Sequence, residues 1–374
     1  GDHRDLHLSL RRQRQMCIRD RYYSIGISGT DGKSTTTAMI FHLLSKIGEN
    51  PTTLLGGIHP SLEHGNYHPG SEKMVAEIDE SDGYIRNVIV NVAVLTNVRP
   101  DHLEHYDGKF ENLRMALKKF LLNAKDAICI LRDEEESWNL ASSIARTQVL
   151  SFGCDRRSHV QLVEREVLKN HPYTQKLTLK CGNKEIKTFL HVPGKHNALN
   201  AIAACSALAS MGYHPDVIQE LEDFKPVKRR FNILAEDENR KIVIIEDYAH
   251  TPKEIDETLE AVREVYGSKR IISVFQPHRY TRLARENGNF ARVLERSDEV
   301  HVLPLFDAYE KRIEGVSEKE IVHHLKERGV SSYFYENKWD VVENLKYAHD
   351  SVILFLGAGD ITEIAEEYSR LYKR

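Results

Sequence analysis

The sequence predicts a two-domain α/β protein, and three observations predict it. A short apolar run at 23–27 leads into a glycine turn, Gly29-Thr30-Asp31-Gly32-Lys33-Ser34-Thr35, and then into a helical-looking segment at 36–47. Apolar runs then alternate with segments of helical spacing in both halves of the chain, the pattern of a mostly parallel sheet covered by helices. A polar, proline-containing stretch at 226–230 separates the two alternating sets and marks the predicted domain boundary.

Strand, glycine turn and helix form the context in which a phosphate-binding loop works. Two glycines let the backbone curl so that its N–H groups converge on phosphate oxygens. The following helix adds its positive N-terminal end, and Lys33 supplies a point charge. Ser34, directly after the lysine, is where a hydroxyl ligand for Mg²⁺ belongs. The usual form of this motif has a glycine at the position held by Ile27. The competing reading is an ordinary glycine turn with a surface lysine, and the flanking strand and helix favour nucleotide binding over it. The first domain is therefore predicted to be a P-loop ATPase domain.

In chain order, 56–70 is rich in Gly, His, Pro and Asn and reads as an irregular excursion. A short strand at 74–78 ends in the acidic cluster Glu77-Ile78-Asp79-Glu80-Ser81-Asp82. A second buried-type strand at 88–96 runs into Asn97-Val98-Arg99-Pro100-Asp101-His102. Helical spacing follows at 110–123 and a strand at 127–131. Between 160 and 192 the pattern shifts to period-two stretches broken by Asn170-His171-Pro172 and Gly182-Asn183, which predicts an antiparallel β-hairpin insertion. Pro193-Gly194-Lys195-His196-Asn197-Ala198-Leu199-Asn200 then opens an Ala-rich helix running to about Met211.

Past the boundary, strands at 242–245, 271–275, 300–303, 333–335 and 352–356 predict a Rossmann-like α/β domain. Pro252 suits the first position of a helix. Ligands of such sheets gather at the C-terminal ends of the strands. Those ends carry Asp247, His250, His278, Arg279 and Arg282, and a last glycine turn, Gly357-Ala358-Gly359-Asp360.

Composition narrows the class. At 374 residues and 41% hydrophobic, the chain is long enough for two cores. A net charge of −4 gives no basic balance that would point to nucleic acid. The five cysteines (Cys17, Cys129, Cys154, Cys181, Cys205) form no CxxC pair, which argues against a disulfide framework or zinc site and predicts a reducing, cytoplasmic setting. No apolar run is long enough to cross a bilayer, so no membrane partner is expected. Residues 1–21 stand apart, with five arginines in their second half and no helix or strand period. A basic arm is one reading. The string also looks like translated adapter sequence, and it is set aside as a non-native tail, which implies that the natural N-terminus is missing. The predicted organisation is thus 1–21 tail, 22–226 central domain and 227–374 C-terminal domain.

Mg²⁺ needs hard oxygen ligands, and Glu77, Asp79, Glu80 and Asp82 are candidates. Acidic residues after a strand also serve as solvated charges or helix caps. His102 taken alone reads more readily as a structural histidine than as a ligand. In the second domain, two arginines with histidines at sheet ends suggest carboxylate or phosphate recognition, against the alternative of solvated loop charges.

Taken together, these motifs resemble a family. Gly29-Thr30-Asp31-Gly32-Lys33-Ser34-Thr35-Thr36-Thr37 resembles the ATP loop of the Mur ligases, the ATP-dependent amide-forming enzymes of peptidoglycan precursor synthesis. Ala76-Glu77 with Asp79-Glu80-Ser81-Asp82, Thr96-Asn97 and Asp101-His102-Leu103-Glu104-His105-Tyr106 look like its L-alanine-adding branch (MurC). Gly194-Lys195-His196-Asn197-Ala198-Leu199-Asn200-Ala201, Arg229-Arg230-Phe231-Asn232, Phe275-Gln276-Pro277-His278-Arg279-Tyr280-Thr281-Arg282 and Gly357-Ala358-Gly359-Asp360 continue the likeness in order.

The resemblance implies ATP and Mg²⁺ as cofactors, with UDP-N-acetylmuramate and an amino acid, L-alanine first, as substrates. It implies that Lys33 and the amides of Gly29, Thr30, Asp31, Gly32 and Thr35 hold phosphates, with Asn97 in the nucleotide-binding set. Ser34, Glu77 and His102 would ligate Mg²⁺. His196 and Asn197 would lie near adenine, Arg230 would reach the phosphates and Asp247 the ribose. His250, Arg279 and Arg282 would face the amino acid and an acyl phosphate. A monomer or weak homodimer is expected.

The chain departs from that branch in two places. Asp31 stands where the branch usually has His, and Thr251 in Asp247-Tyr248-Ala249-His250-Thr251-Pro252 stands where it usually has a second His. The latter run resembles the diaminopimelate- or lysine-adding branch (MurE), which leaves the amino acid open. The family's N-terminal domain, which holds the UDP end of the substrate, is expected to be absent. Two rival readings are a two-domain ligase like folate polyglutamate synthase and a non-catalytic nucleotide-binding subunit.

Overall fold

The computed structural model describes residues 22–81, 83–144, 147–168, 173–286 and 288–372. The predicted tail, Asp82 and the predicted turn at Asn170-His171-Pro172 lie outside the described residues. The chain divides into two compact units, the first ending at Val227 and the second beginning at Lys228.

The first unit runs β1 (Tyr23–Ser28), α1 (Lys33–Lys46), β2 (Pro51–Leu54), β3 (Tyr67–His68), β4 (Ser71–Glu77), β5 (Val90–Leu95), α2 (Phe110–Leu122), β6 (Ala124–Leu131), α3 (Glu135–Ser142), β7 (Gln148–Gly153), β8 (Val160–Val167), β9 (Gln175–Cys181), β10 (Lys184–Leu190) and α4 (Lys195–Ser210). Its strands form one sheet in the order β10-β9-β8-β7-β6-β5-β1-β4-β2-β3. Neighbours from β2 to β8 pair in parallel. The predicted hairpins are β8–β10, and they extend the main sheet as antiparallel strands at one edge.

Alternation along the central strands sends side chains to two cores. Ile25, Ile27, Val92 and Val94 join Met39, Ile40 and Leu43 of α1 and Ala201, Ile202 and Leu208 of α4. On the other face, Ala93, Leu95, Ile128 and Ile130 meet Leu113, Leu117 and Phe120 of α2. Each large apolar side chain buried there contributes about 1.5–3 kcal/mol. Helix α1 is buried nearly all round, from Thr35 to Leu44, which fixes its N-terminus rigidly at the end of β1.

Strands β2, β3, β7 and helix α3 carry no clear signal in the sequence. Pro51-Thr52-Thr53-Leu54 has no apolar run to mark it, and its pairing with β4 and β3 makes it a strand. Residues 67–68, inside the predicted irregular excursion, pair briefly with β2.

The second unit comprises β11 (Asn232–Asp237), β12 (Ile242–Asp247), α5 (Pro252–Tyr266), β13 (Arg270–Phe275), α6 (Tyr280–Glu286), α7 (Asn289–Leu294), β14 (Glu299–Val302), α8 (Lys319–Glu327), β15 (Ser331–Phe334), α9 (Asp340–Leu345), β16 (Ser351–Leu356) and α10 (Ile361–Arg370). The sheet order is β11-β12-β16-β13-β14-β15. All neighbours are parallel except β11 and β12. Ile244, Val274, Ile353 and Phe355 pack against Val341, Leu345, Ile364 and Tyr368. Among the described residues no helix is long and apolar enough to cross a membrane.

Two buried histidines fasten the last segment of the first unit. His59 Nε2–H donates to Lys225 O at 2.7 Å while its Nδ1 accepts the Ser61 N–H at 3.2 Å, which specifies a neutral ring. His42 Nε2 bonds Glu220 O at 2.8 Å, and both rings pack on Phe224. Burial lowers the pKa of both histidines. The unfolded chain therefore binds more protons once pH drops below about 6.5, so the stability they support is present above that value and fades as pH falls toward their lowered folded pKa values. The melting temperature should fall between pH 7 and 5.5, a range above ordinary carboxylate titration. Each histidine contributes at most about 1.4 kcal/mol per pH unit. Thermal melts of His42→Gln should show a shallower slope, and an unchanged slope would assign the acid sensitivity elsewhere.

Candidate functional site

The glycine turn after β1 is bolted to the end of β5. Register pairs Ser28 with Leu95, so the residues after each strand emerge side by side. Asn97 Oδ1 accepts the Asp31 N–H at 2.9 Å, its Nδ2 donates to Asp31 O at 3.0 Å, and its own carbonyl accepts the Thr30 N–H at 3.2 Å. Thr96 Oγ1 donates to Asp31 O at 2.6 Å. Gly29 and Gly32 have φ of +130° and +82°, and a Cβ on either would meet Thr96 Oγ1 at 2.2 Å or Asn200 Oδ1 at 2.3 Å. Both positions therefore require glycine. Left-handed Gly32 caps α1 with no side-chain hydrogen bond, so the first-turn N–H groups of a 14-residue helix point at the turn without a side-chain acceptor of that helix's own.

Lys33 curls back over the loop. Its Nζ donates to Gly29 O at 2.6 Å, to Thr30 O at 3.1 Å and to Glu80 Oε1 at 3.1 Å. Burial alone would lower its pKa, but the carboxylates of Glu80, Asp79 and Glu77 outweigh burial and raise it, keeping the ammonium protonated. For Asp79 burial acts upward, yet Lys33, the Ser81 N–H and His102 prevail and hold the carboxyl below its usual value. Burial pushes Glu80 upward despite Lys33. His102 lies near enough to influence both carboxylates. It adopts a left-handed φ of 52°, with Nε2 3.6 Å from Asp101 and Nδ1 3.6 Å from Glu104.

Lys33, Glu77, Asp79, Glu80 and His102, all selected from the sequence, thus share one electrostatic neighbourhood. Glu77 closes β4 and accepts the Gly56 N–H at 2.7 Å. Among the described residues no three His, Cys, Asp or Glu side chains converge as a metal cage. A cation here would need the Ser34 hydroxyl or oxygens of its ligand as well. His196 stands half-buried in the first turn of α4. Asn197 is buried and donates to Pro193 O at 2.7 Å, which fixes the entry to that helix.

In the second unit, the ends of β12, β13 and β16 gather the polar groups. Asp247 is buried and both its oxygens accept backbone N–H bonds, from Phe231 at 2.7 Å and Ala249 at 2.8 Å. Arg229 donates to Gly357 O at 2.8 Å and Gly359 O at 3.1 Å. The guanidinium carbons of Arg229 and Arg230 lie 4.9 and 5.0 Å from the Tyr248 ring centroid. Glu254 ties this group together. It bonds Arg230 Nη1 at 3.3 Å, lies 3.1 Å from His250 Nδ1 and forms a capping box with Thr251 at the start of α5. Burial would raise its pKa, but His250 and then Arg230 overcome that and hold it well below the usual carboxylate value.

The His250 ring packs edge-on against His278 at 5.7 Å, and Arg282, 3% exposed, places Nη1 3.1 Å from His278 Nδ1. Arg279 (φ 72°) pairs with Glu310 at 3.8 Å, and Glu310 also accepts Thr281 N–H at 3.0 Å. Arg230, Glu254, His250, His278 and Arg282 therefore form one chain of side-chain contacts, while Asp247 holds the backbone beside it and Arg279 pairs with Glu310.

Residues 27–208 match the model of the Mur ligase middle domain, and residues 229–359 match that of the Mur ligase glutamate ligase domain. A UDP-N-acetylmuramate–L-alanine ligase of Thermotoga petrophila is 37% identical over 361 residues, covering 96% of this chain and 77% of the relative. The chain belongs to the Mur ligase family. A second UDP-N-acetylmuramate–L-alanine ligase, from Thermotoga maritima, is 36% identical over 95% of this chain and 76% of its own length. The crystal structure of the T. maritima UDP-N-acetylmuramate–alanine ligase MurC superposes with a TM-score of 0.82 at 34% identity, covering 97% of this chain and 78% of that one. The MurF ligase of T. maritima, solved with ADP, shares the fold with a TM-score of 0.73 at 19% identity.

Three residues at the strand ends of the two units have no role assigned by the sequence. Arg99 lies inside a run singled out there. Glu254 was detectable as the fourth residue of a Thr-x-x-Glu capping box. Glu310 comes from a distant loop and has no local signal. The bonds of Asp247 predict that it supports stability. Asp247→Ala leaves two buried N–H groups unsatisfied and should cost about 2–4 kcal/mol. Denaturant unfolding of the second unit's transition measures this, and a variant as stable as the parent would refute it.

Proposed function

We propose that this Mur ligase joins L-alanine to the carboxylate of UDP-N-acetylmuramate at the expense of ATP. The observation that carries the reading is the 37% identity to a UDP-N-acetylmuramate–L-alanine ligase over 96% of the chain, a likeness that runs through both units. The carboxylate attacks the γ-phosphate, giving an acyl phosphate and ADP. The amine then displaces inorganic phosphate and forms the amide.

The first encounter brings two anions together and the second handles an anionic acyl phosphate, so the site must supply positive charge in advance. Lys33, held protonated by its carboxylate neighbours, and the N–H groups of Gly29 and of 32–35 would take the phosphates, whereas the Thr30 and Asp31 N–H groups, expected from the sequence to join them, are already bonded to Asn97. The Ser34 hydroxyl and the Glu77 carboxylate are hard-oxygen donors that suit Mg²⁺, and with an imidazole nitrogen of His102 they are its proposed holders; the ion would spread the charge of the phosphates. His196 and Asn197 are proposed to border adenine, Arg230 to reach the phosphates, and Asp247 to shape the ribose side through Phe231 and Ala249. His250, Arg279 and Arg282 would receive the amino acid and the acyl phosphate, because paired arginines suit planar carboxylates and phosphates.

Thr251 keeps other amino acids in the test. Its hydroxyl accepts the Glu254 N–H at 3.3 Å as a helix cap, a role that leaves the choice of amino acid to the neighbouring groups. Phosphate release from ATP should be measured with Mg²⁺, UDP-N-acetylmuramate and each of L-alanine, glycine, L-serine, L-lysine and diaminopimelate. Release should require both the sugar nucleotide and L-alanine, and Lys33→Ala should reduce it by about 10²–10³-fold or more. Release with diaminopimelate in place of L-alanine would reassign the amino acid. Release indifferent to the sugar nucleotide would reject the substrate.

A further inference from the structure

The phosphate-binding loop carries a carboxylate of its own, Asp31, at a position where a polyanion is to be received. Its side chain is 13% exposed and forms an ion pair with Arg99 Nη1. The same guanidinium reaches Glu134 Oε1 with Nη2 at 2.8 Å, and Glu134 is the N-cap residue of α3. The main chain of Arg99 is tied to the loop as well. Its N–H donates to Thr30 Oγ1 at 2.8 Å, and that hydroxyl donates back to Arg99 O at 3.4 Å. Arg99 thus links three loops at the strand ends, with the loop's own acid as one of its partners.

We propose that Arg99 is a positioning residue for the phosphate-binding loop, neutralising Asp31 as a fixed ion pair so that the loop can accept a nucleotide's phosphates. An uncompensated carboxylate at this point would repel those phosphates in a partly desolvated setting, where the interaction is stronger than in water. The loop backbone is already held by Thr96 and Asn97. The guanidinium is therefore needed chiefly for its charge, and the fork geometry directs Asp31 and Glu134 to separate nitrogens. The proposal rests on the nucleotide reading of the loop.

The test compares the parent, Arg99→Gln, Arg99→Lys and the double variant Asp31→Asn/Arg99→Gln for binding of a non-hydrolysable ATP analogue with Mg²⁺ by calorimetry. Lys33→Ala serves as control, and thermal melts establish that each variant is folded. Arg99→Gln should weaken binding about tenfold, while removal of the carboxylate in the double variant should restore it to within about threefold of the parent. Arg99→Lys, which keeps the charge, should retain most of the affinity and covers the case in which Arg99→Gln does not fold. The ratio between parent and Arg99→Gln should narrow as salt is raised, because screening weakens the repulsion. A double variant as weak as Arg99→Gln, or an Arg99→Gln that binds like the parent, would overturn the proposal alone. A parent that does not bind, or binding that Lys33→Ala leaves unchanged, would remove the nucleotide reading and the proposal with it.

Discussion

The grip of Asn97 and Thr96 on the Asp31 peptide is the constraint on which the first unit's site depends. Two parallel neighbours, β1 and β5, end level with each other, so the residues after β5 can hold the turn after β1 in a conformation that only glycine at 29 and 32 permits. The turn in turn aims the uncapped N-terminus of α1, and the burial of that helix on nearly every side keeps the aim fixed. Lys33 then sits between the loop carbonyls and the carboxylates that follow β4. A cation so placed offsets part of the charge of the acidic cluster, and the cluster in turn keeps it protonated.

The second unit reaches a similar end with different chemistry. Where amide and hydroxyl groups hold the glycine turn of the first unit, buried charges and one carboxamide hold the strand ends of the second. Asp247 takes two backbone N–H groups, Arg229 takes two carbonyls of the last glycine turn, and Gln276 bonds Asp360 at 2.7 Å and the Ile361 N–H at 3.1 Å. Buried charges are tolerable only when paired and hydrogen-bonded. Glu254 satisfies Arg230, His250 and the helix cap together, so the Arg230 and His250 side chains are held on a rigid frame.

Much of this was legible in the sequence because the signals are local. Pro252 with Thr251 before it marks the start of α5, and Gly29 and Gly32 mark a turn that needs left-handed backbone. The apolar strands were readable because buried parallel strands are nearly continuous runs of Val, Ile and Leu. Residues 51–54 were not legible, since a Pro-Thr-Thr stretch becomes a strand only beside β4 and β3. Asn97 was placed in the nucleotide set on the strength of its motif, and the structure shows its carboxamide engaged on the loop backbone.

The sequence by itself determined the main alternation of strands and helices, the glycine turn after the first strand and the family, because spacing, glycine geometry and hydrophobic period are properties of neighbours along the chain. Tertiary structure alone decided which charges face one another. Arg99 meets Asp31 across 68 residues, Lys33 meets Glu80 across 47 and Arg229 meets Gly357 across 128. These partners come together because parallel strands deliver their C-terminal loops to one edge of a sheet. No local pattern encodes which side chains that edge will bring within hydrogen-bonding distance.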